Sequence, residues 1–198
     1  MKLIFASANE NKVREIQALL NKQIEVKGLS EIGFTDDIPE TADDLQGNAL
    51  LKARYVFNKV GADVFADDTG LEIEALKGRP GVYSARYAGE EKNPRLNVEK
   101  VLTEMQGIVN RRARFRTVIA LILHGKEYFF EGIVEGTILA SQQGEGGFGY
   151  DPIFLPSGSD RSFAEMNLDE KNQTSHRARA IRKLIQFLEL EAREAFRS

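Results

Sequence analysis

Apolar positions along the chain alternate between two periods. Lys2 to Ala6 is a short apolar run ending at small and polar residues, and Val13, Ile16, Leu19 and Leu20 then recur at helical spacing, which predicts a strand, a turn and a helix. Thr41 with Asp44 at its third position predicts a helix N-cap, and Leu45, Ala49, Ala53, Val56 and Val60 carry that helix to Gly61. Val64 to Ala66 predicts a brief buried strand with Asp67, Asp68, Thr69 and Gly70 at its end. A further helix is predicted from about Asn97 to Met105. The β-rich runs Phe115 to Leu123 and Tyr128 to Ile138, joined by His124, Gly125 and Lys126, predict a hairpin. Gly144, Gly146, Gly147 and Gly149 mark a loop, and a last helix begins near Ser175 with Ala178, Ile181, Ile185 and Leu188 on its buried face. Early strand-helix alternation with a late antiparallel pair predicts an α/β fold on a mixed sheet.

Composition narrows the chemistry. The 198 residues contain no cysteine, so disulfides, thiolate catalysis and zinc-thiolate sites are excluded. With only His124 and His176 to supply imidazole, a metal would be a hard cation on carboxylates. The balance of 27 Lys+Arg against 30 Asp+Glu lacks the basic excess of a duplex-coating protein, and nucleic acid is not an expected partner. No stretch approaches a membrane span, and MKLIFASANENK turns polar too early for a secretory signal. The expectation is a single domain over residues 1–198, cytoplasmic and without a membrane partner. A chain of this length buries roughly 70% of its unfolded surface, enough for one large core or two lobes around a cleft.

Four segments could carry chemistry. Ser7, Ala8, Asn9, Glu10, Asn11 and Lys12 stand where the first strand meets the first helix, where N–H groups and the helix dipole favour an anion. The same residues also suit a Ser7–Glu10 capping box with a solvated Lys12. Asp67 and Asp68 point to opposite sheet faces, so one of them can meet a metal together with a loop carboxylate such as Glu40. Equally, Asp67 can cap a turn and Asp68 pair with an arginine. Phe148, Gly149, Tyr150 and Asp151, within Gly146 to Pro152, set an aromatic ring among glycines, either to stack on a flat ligand or to fill a tight turn. Lys171, His176 and Arg177 flank the start of the last helix, in a binding role or as cap and surface residues.

These segments, with Asn48 to Ala53 and Gly81 to Tyr87, resemble in order and spacing the inosine/xanthosine triphosphate pyrophosphatase family. The resemblance runs from residue 1 to about 190. It implies hydrolysis of deaminated purine nucleoside triphosphates (ITP, dITP, XTP) to the monophosphate and pyrophosphate with Mg²⁺, by a homodimer. The implied fold is an elongated mixed sheet flanked by helices, in two lobes with a central nucleotide cleft. Ser7 to Lys12 match the triphosphate-binding segment, Glu40 and Asp68 the metal carboxylates, and Asp68 also the proton acceptor. Thr69 takes a substrate-contacting position where many relatives have serine. Phe148 to Asp151, Lys171, His176 and Arg177 match residues around base and sugar. Gly47 stands where many members have glutamate, and Ser7 replaces a common threonine.

The chemistry is coherent without the family. Phosphates need cations and N–H donors, a hard metal needs carboxylates, and a purine needs a ring to stack on. Two other classes stay open: a nucleotide sensor that does not hydrolyse, against which both Glu40 and Asp68 argue, and a metal-dependent phosphoesterase acting on nucleic acid, which would need a basic, aromatic-lined groove.

Overall fold

The computed structural model describes residues 1–20 and 24–195; residues 21–23 and 196–198 of the expected domain lie outside them. Its strands are β1 (Lys2–Phe5), β2 (Glu25–Gly28), β3 (Val64–Ile73), β4 (Arg112–Leu123), β5 (Lys126–Ile138) and β6 (Phe154–Pro156), in sheet order β2-β1-β3-β4-β5-β6. β1 runs parallel to both β2 and β3, and β6 is antiparallel to β5. The expected mixed sheet is present. Its helices are α1 (Glu10–Leu19), α2 (Leu45–Val60), α3 (Pro94–Glu104), α4 (Leu168–Thr174) and α5 (His176–Ala195).

The chain divides into two compact units. The first comprises Met1–Asp68, Thr117–Gly132 and the chain from Arg177; the second comprises Thr69–Arg116 and Ile133–His176. In the first unit the two-residue period of the strands sorts side chains onto two faces. Leu3, Phe5, Phe65, Ile119 and Leu121 pack with Ile16 of α1 and with Ala180, Ile181, Leu184 and Leu188 of α5. The intervening Ile4, Ala6, Val64, Ala66, Ala120 and Ile122 pack with Ala49, Ala53 and Val56 of α2. The second unit has its own core, in which Val98 and Val101 of α3 and the C-cap residue Met105 meet Leu71, Ile73, Phe115, Ile138, Ile153 and Phe154.

Several local expectations change. β3 is a ten-residue strand, so Asp67 and Asp68 lie inside it and not at its end. The alternation Leu71, Glu72, Ile73 beyond the two acids extends it. The N-cap of α2 is Asp44, not Thr41, because its carboxylate accepts from Gly47 N–H at 2.6 Å. Asn9 caps α1 by accepting from the N–H groups of Asn11 and Lys12, at 3.0 and 3.3 Å, while Ser7 accepts from Asn9 N–H, ahead of the helix. β2, α4 and β6 are additional elements, too short to show a period. The hairpin turn is His124-Gly125, both with positive φ, which fits a two-residue connection between twisted strands.

Candidate active site

The parity of β3 decides what its two acids meet. Asp67 follows Phe65 onto the face of α1 and α5, while Asp68 follows Ala66 onto the face of α2. On the first face, Asp67 is fully buried and accepts from Lys12 Nζ at 3.0 Å and from Arg177 Nε at 3.2 Å. Arg177, itself 1% exposed, also pairs through its Nη1 with Glu15 of α1. Burial disfavours the charged form of Asp67, but Lys12 and Arg177 overcome it and hold the carboxyl well below the usual range. The same burial lowers the Lys12 pKa against the attraction of Asp67.

On the second face, one surface of α2 supplies both contacts to Asp68. Asn48 Nδ2 donates to Asp68 Oδ2 at 3.2 Å, and Lys52 Nζ lies 3.3 Å from Asp68 Oδ1. Lys52 also lies 2.7 Å from Glu40 Oε1. Asn48 and Lys52 are one turn apart and share the buried stripe Leu45, Ala49, Ala53 and Val56. Burial is the main influence raising the Asp68 pKa; Lys52 and Lys12 oppose it, while Glu40 and Asp67 reinforce it. Two adjacent carboxyls are thus pushed apart in acidity, Asp67 kept ionised and Asp68 better able to take a proton.

The donors fit a hard divalent cation. Glu40 and Asp68 offer carboxylate oxygen and already share one positive nitrogen. Among the described residues no group of three or more His, Cys, Asp and Glu side chains forms a metal cluster. Mg²⁺ needs only one or two protein carboxylates when water and phosphate complete its shell.

In the second unit, Asp151 organises the glycine loop. Its Oδ2 accepts from Phe148 N–H at 2.8 Å and from Lys171 Nζ at 2.6 Å. Gly147, at φ 68°, passes so close that a Cβ would stand 2.3 Å from Asp151 Oδ2. Lys171 Nζ lies 4.6 Å from the centroid of the Phe148 ring, which remains half-buried. Tyr150 turns inward, donating to Ser84 O at 2.7 Å. His176 stacks on Phe115 at 4.5 Å and 17°, within the aromatic part of the core.

The anticipated residues therefore fall into three groups: Lys12 with Arg177 around Asp67, Glu40 with Asp68 around Lys52, and Phe148 with Lys171 around Asp151. Ala8, Asn9, Glu10 and Asn11 are exposed, Ser7 accepts from Asn9 N–H, and Thr69 follows Asp68 in β3. Arg177 stands on Asp67 and Glu15. Lys52, Asn48 and Glu15 were not anticipated. For Lys52 and Asn48 the signal was present, since two polar residues stand in the apolar stripe of α2. Gly47 also has a local reason: a Cβ there would come within 2.7 Å of Ala42 Cβ.

The chain resembles known proteins over almost its whole length. The sequence is 56% identical over 188 residues to the dITP/XTP pyrophosphatase of Porphyromonas gingivalis, covering 94% of this chain and 97% of that protein. It is 55% identical over 188 residues to the dITP/XTP pyrophosphatase of Christiangramia forsetii, covering 95% and 99%. The solved Ham1 protein of Staphylococcus aureus superposes with a TM-score of 0.87 at 39% identity, covering 96% of this chain and 100% of that one. A sequence model of the Ham1 family matches residues 3–187, and the chain belongs to the Ham1 family.

Proposed function

We propose that this protein hydrolyses deaminated purine nucleoside triphosphates (dITP, ITP and XTP) to the monophosphate and pyrophosphate, clearing them from the nucleotide pool. The observation that carries the reading is the pairing of Asp68 with Glu40 about Lys52, beside a separately neutralised Asp67, in a chain more than half identical to dITP/XTP pyrophosphatases. We assign the triphosphate to Ser7 to Lys12 and the metal to Glu40 and Asp68. Phe148 to Asp151, Lys171 and His176 are assigned to base and sugar, and Thr69 to a substrate contact. Arg177 remains in the substrate set through its hold on Asp67, the acid that also fixes Lys12. The working unit in this reading is one domain over residues 1–198, active as a homodimer in the cytoplasm with Mg²⁺.

The reaction consumes one water. Its oxygen bonds to the α-phosphorus, the bond from that phosphorus to the bridging oxygen breaks, and the pair leaves with pyrophosphate. Asp68 orients the water and receives its proton on the carboxylate that the Asn48 amide aims through Oδ2. Lys12, fixed by Asp67, supplies positive charge to the phosphates. Mg²⁺, when bound, neutralises phosphate charge. Phe148 offers a ring face for the purine, and Asp151 and Lys171 fix that ring.

Selectivity follows from the base edge. Hypoxanthine and xanthine present an oxygen at position 6 where adenine presents an amino group, so donors facing that position pair with the first two and oppose the third. Sites of this kind reject a mismatch by about 10⁴-fold. Steady-state kinetics should give ITP a kcat/KM orders of magnitude above ATP. Equal values for the two would sink the selectivity argument, and binding of ITP without turnover would make the protein a sensor.

A further inference from the structure

Lys52 stands where the two metal carboxylates converge. It is 7% exposed on α2, with its ammonium 2.7 Å from Glu40 Oε1 and 3.3 Å from Asp68 Oδ1. Asn48, one turn earlier, holds the other Asp68 oxygen at 3.2 Å. The two helix contacts differ in kind. The neutral amide aims the Asp68 carboxylate without changing its charge, whereas the ammonium cancels charge that a metal would need. With Lys52 in place, Glu40 and Asp68 offer one net negative charge in place of two, and an incoming cation meets a like charge at contact distance in a poorly solvated place. Without a cation there, the half-buried Glu40 and the buried Asp68 would oppose one another with little solvent between them.

We propose that Lys52 is a resident counter-ion of Glu40 and Asp68 which a divalent metal must displace, so that it sets metal affinity and holds the pair together in the metal-free protein. This inference rests on the assignment of Glu40 and Asp68 to the metal. It predicts opposite signs at two positions of one helix face. Removing the Lys52 charge tightens metal binding, while removing the Asn48 amide loosens it. A purely structural lysine would lower stability at every metal concentration and would not tighten binding.

The test is direct Mn²⁺ binding to the substrate-free protein, read from the electron paramagnetic resonance of the free ion, with melting temperatures taken at zero and saturating Mn²⁺. Lys52→Met and Lys52→Gln should each bind Mn²⁺ at least about tenfold more tightly than the parent. Each should melt lower than the parent without metal and recover much of the difference with it. Lys52→Arg, which keeps the charge, should show no tightening, and Asn48→Ala should bind more weakly. Lys52→Gln retains a polar hydrogen-bonding group and serves as the readout should Lys52→Met not fold. Unchanged or weaker Mn²⁺ binding in the lysine variants would overturn the proposal. Glu40→Gln and Asp68→Asn separate its two foundations. If they weaken Mn²⁺ binding while the lysine variants fail to tighten it, the counter-ion role alone falls. If they leave binding untouched, the metal assignment falls and takes the inference with it.

Discussion

The two units of the chain bury polarity in opposite ways. In the first, Glu15, Lys52, Asp67, Asp68 and Arg177 are all buried, and each acid is matched to a cation from a neighbouring helix. In the second, the region around the glycine loop buries the ion pair of Asp151 with Lys171, whose ammonium lies by the rings of Phe148 and Phe163, and Phe163 packs in turn on Phe115 and His176. Charge is expensive to bury, and a fold retains it where it is matched in place or where chemistry uses it. In the proposed function the first unit meets phosphate and metal, and the second a flat ring. Substitutions that disturb charge balance should therefore act differently in the two units.

The largest effect is expected at Arg177. Arg177→Ala leaves Glu15 and Asp67 without their shared guanidinium and should cost about 3–5 kcal/mol of stability in urea titration. A loss under about 1 kcal/mol would show that the buried acids do not depend on it. Asp68→Asn should keep the fold and lower kcat by about 100-fold or more, since it removes a preorganised charge and a proton acceptor while nearly preserving shape. Turnover within threefold of the parent would remove Asp68 from the reaction. Lys12→Ala should act mainly on KM, because the lysine is assigned to phosphate charge; a collapse of kcat at unchanged KM would place it in the transition state instead.

In the second unit, Phe148→Ala should raise KM for ITP about tenfold, in line with the loss of one base-stacking contact, and leave kcat nearly unchanged. If kcat falls as far as it does in Asp68→Asn, the division between charge and stacking is wrong. The smallest effect concerns the core beneath the loop. Burial and a hydrogen bond to Glu104 push the Tyr87 hydroxyl up to about 12 from 10.0. Its folded pKa is the higher one, so its contribution to stability is complete below pH 10 and is lost as pH rises toward 12. Tyr87→Phe should flatten the fall in stability measured over that alkaline window; an unchanged slope would assign the fall to other groups.

Much of this was legible in the sequence, for reasons that can be named. Val13, Ile16 and Leu19 give α1, and Leu45, Ala49, Ala53 and Val56 give α2, because a helix buries one stripe. Asp67 and Asp68 read as oppositely directed because strand side chains alternate, and their separate partners follow that parity. What escaped was set by tertiary contact. The three-residue β6 has no room to display a period, and β3 reads as stopping at its acids because charged residues inside a buried strand run against propensity. Glu15 looks like an ordinary helix-surface glutamate until α5 brings Arg177 against it. The capping role expected of Ser7 belongs to Asn9, a choice between neighbouring cap residues that spacing cannot make.

The most direct test of the central claim is the fate of ITP in ¹⁸O-labelled water with Mg²⁺, followed by ³¹P NMR. The account predicts inosine monophosphate carrying the label on its phosphate, together with unlabelled pyrophosphate, and formation of both slowed by about 100-fold or more in the Asp68→Asn protein. Release of orthophosphate with inosine diphosphate, or label recovered in the pyrophosphate, would contradict attack at the α-phosphorus.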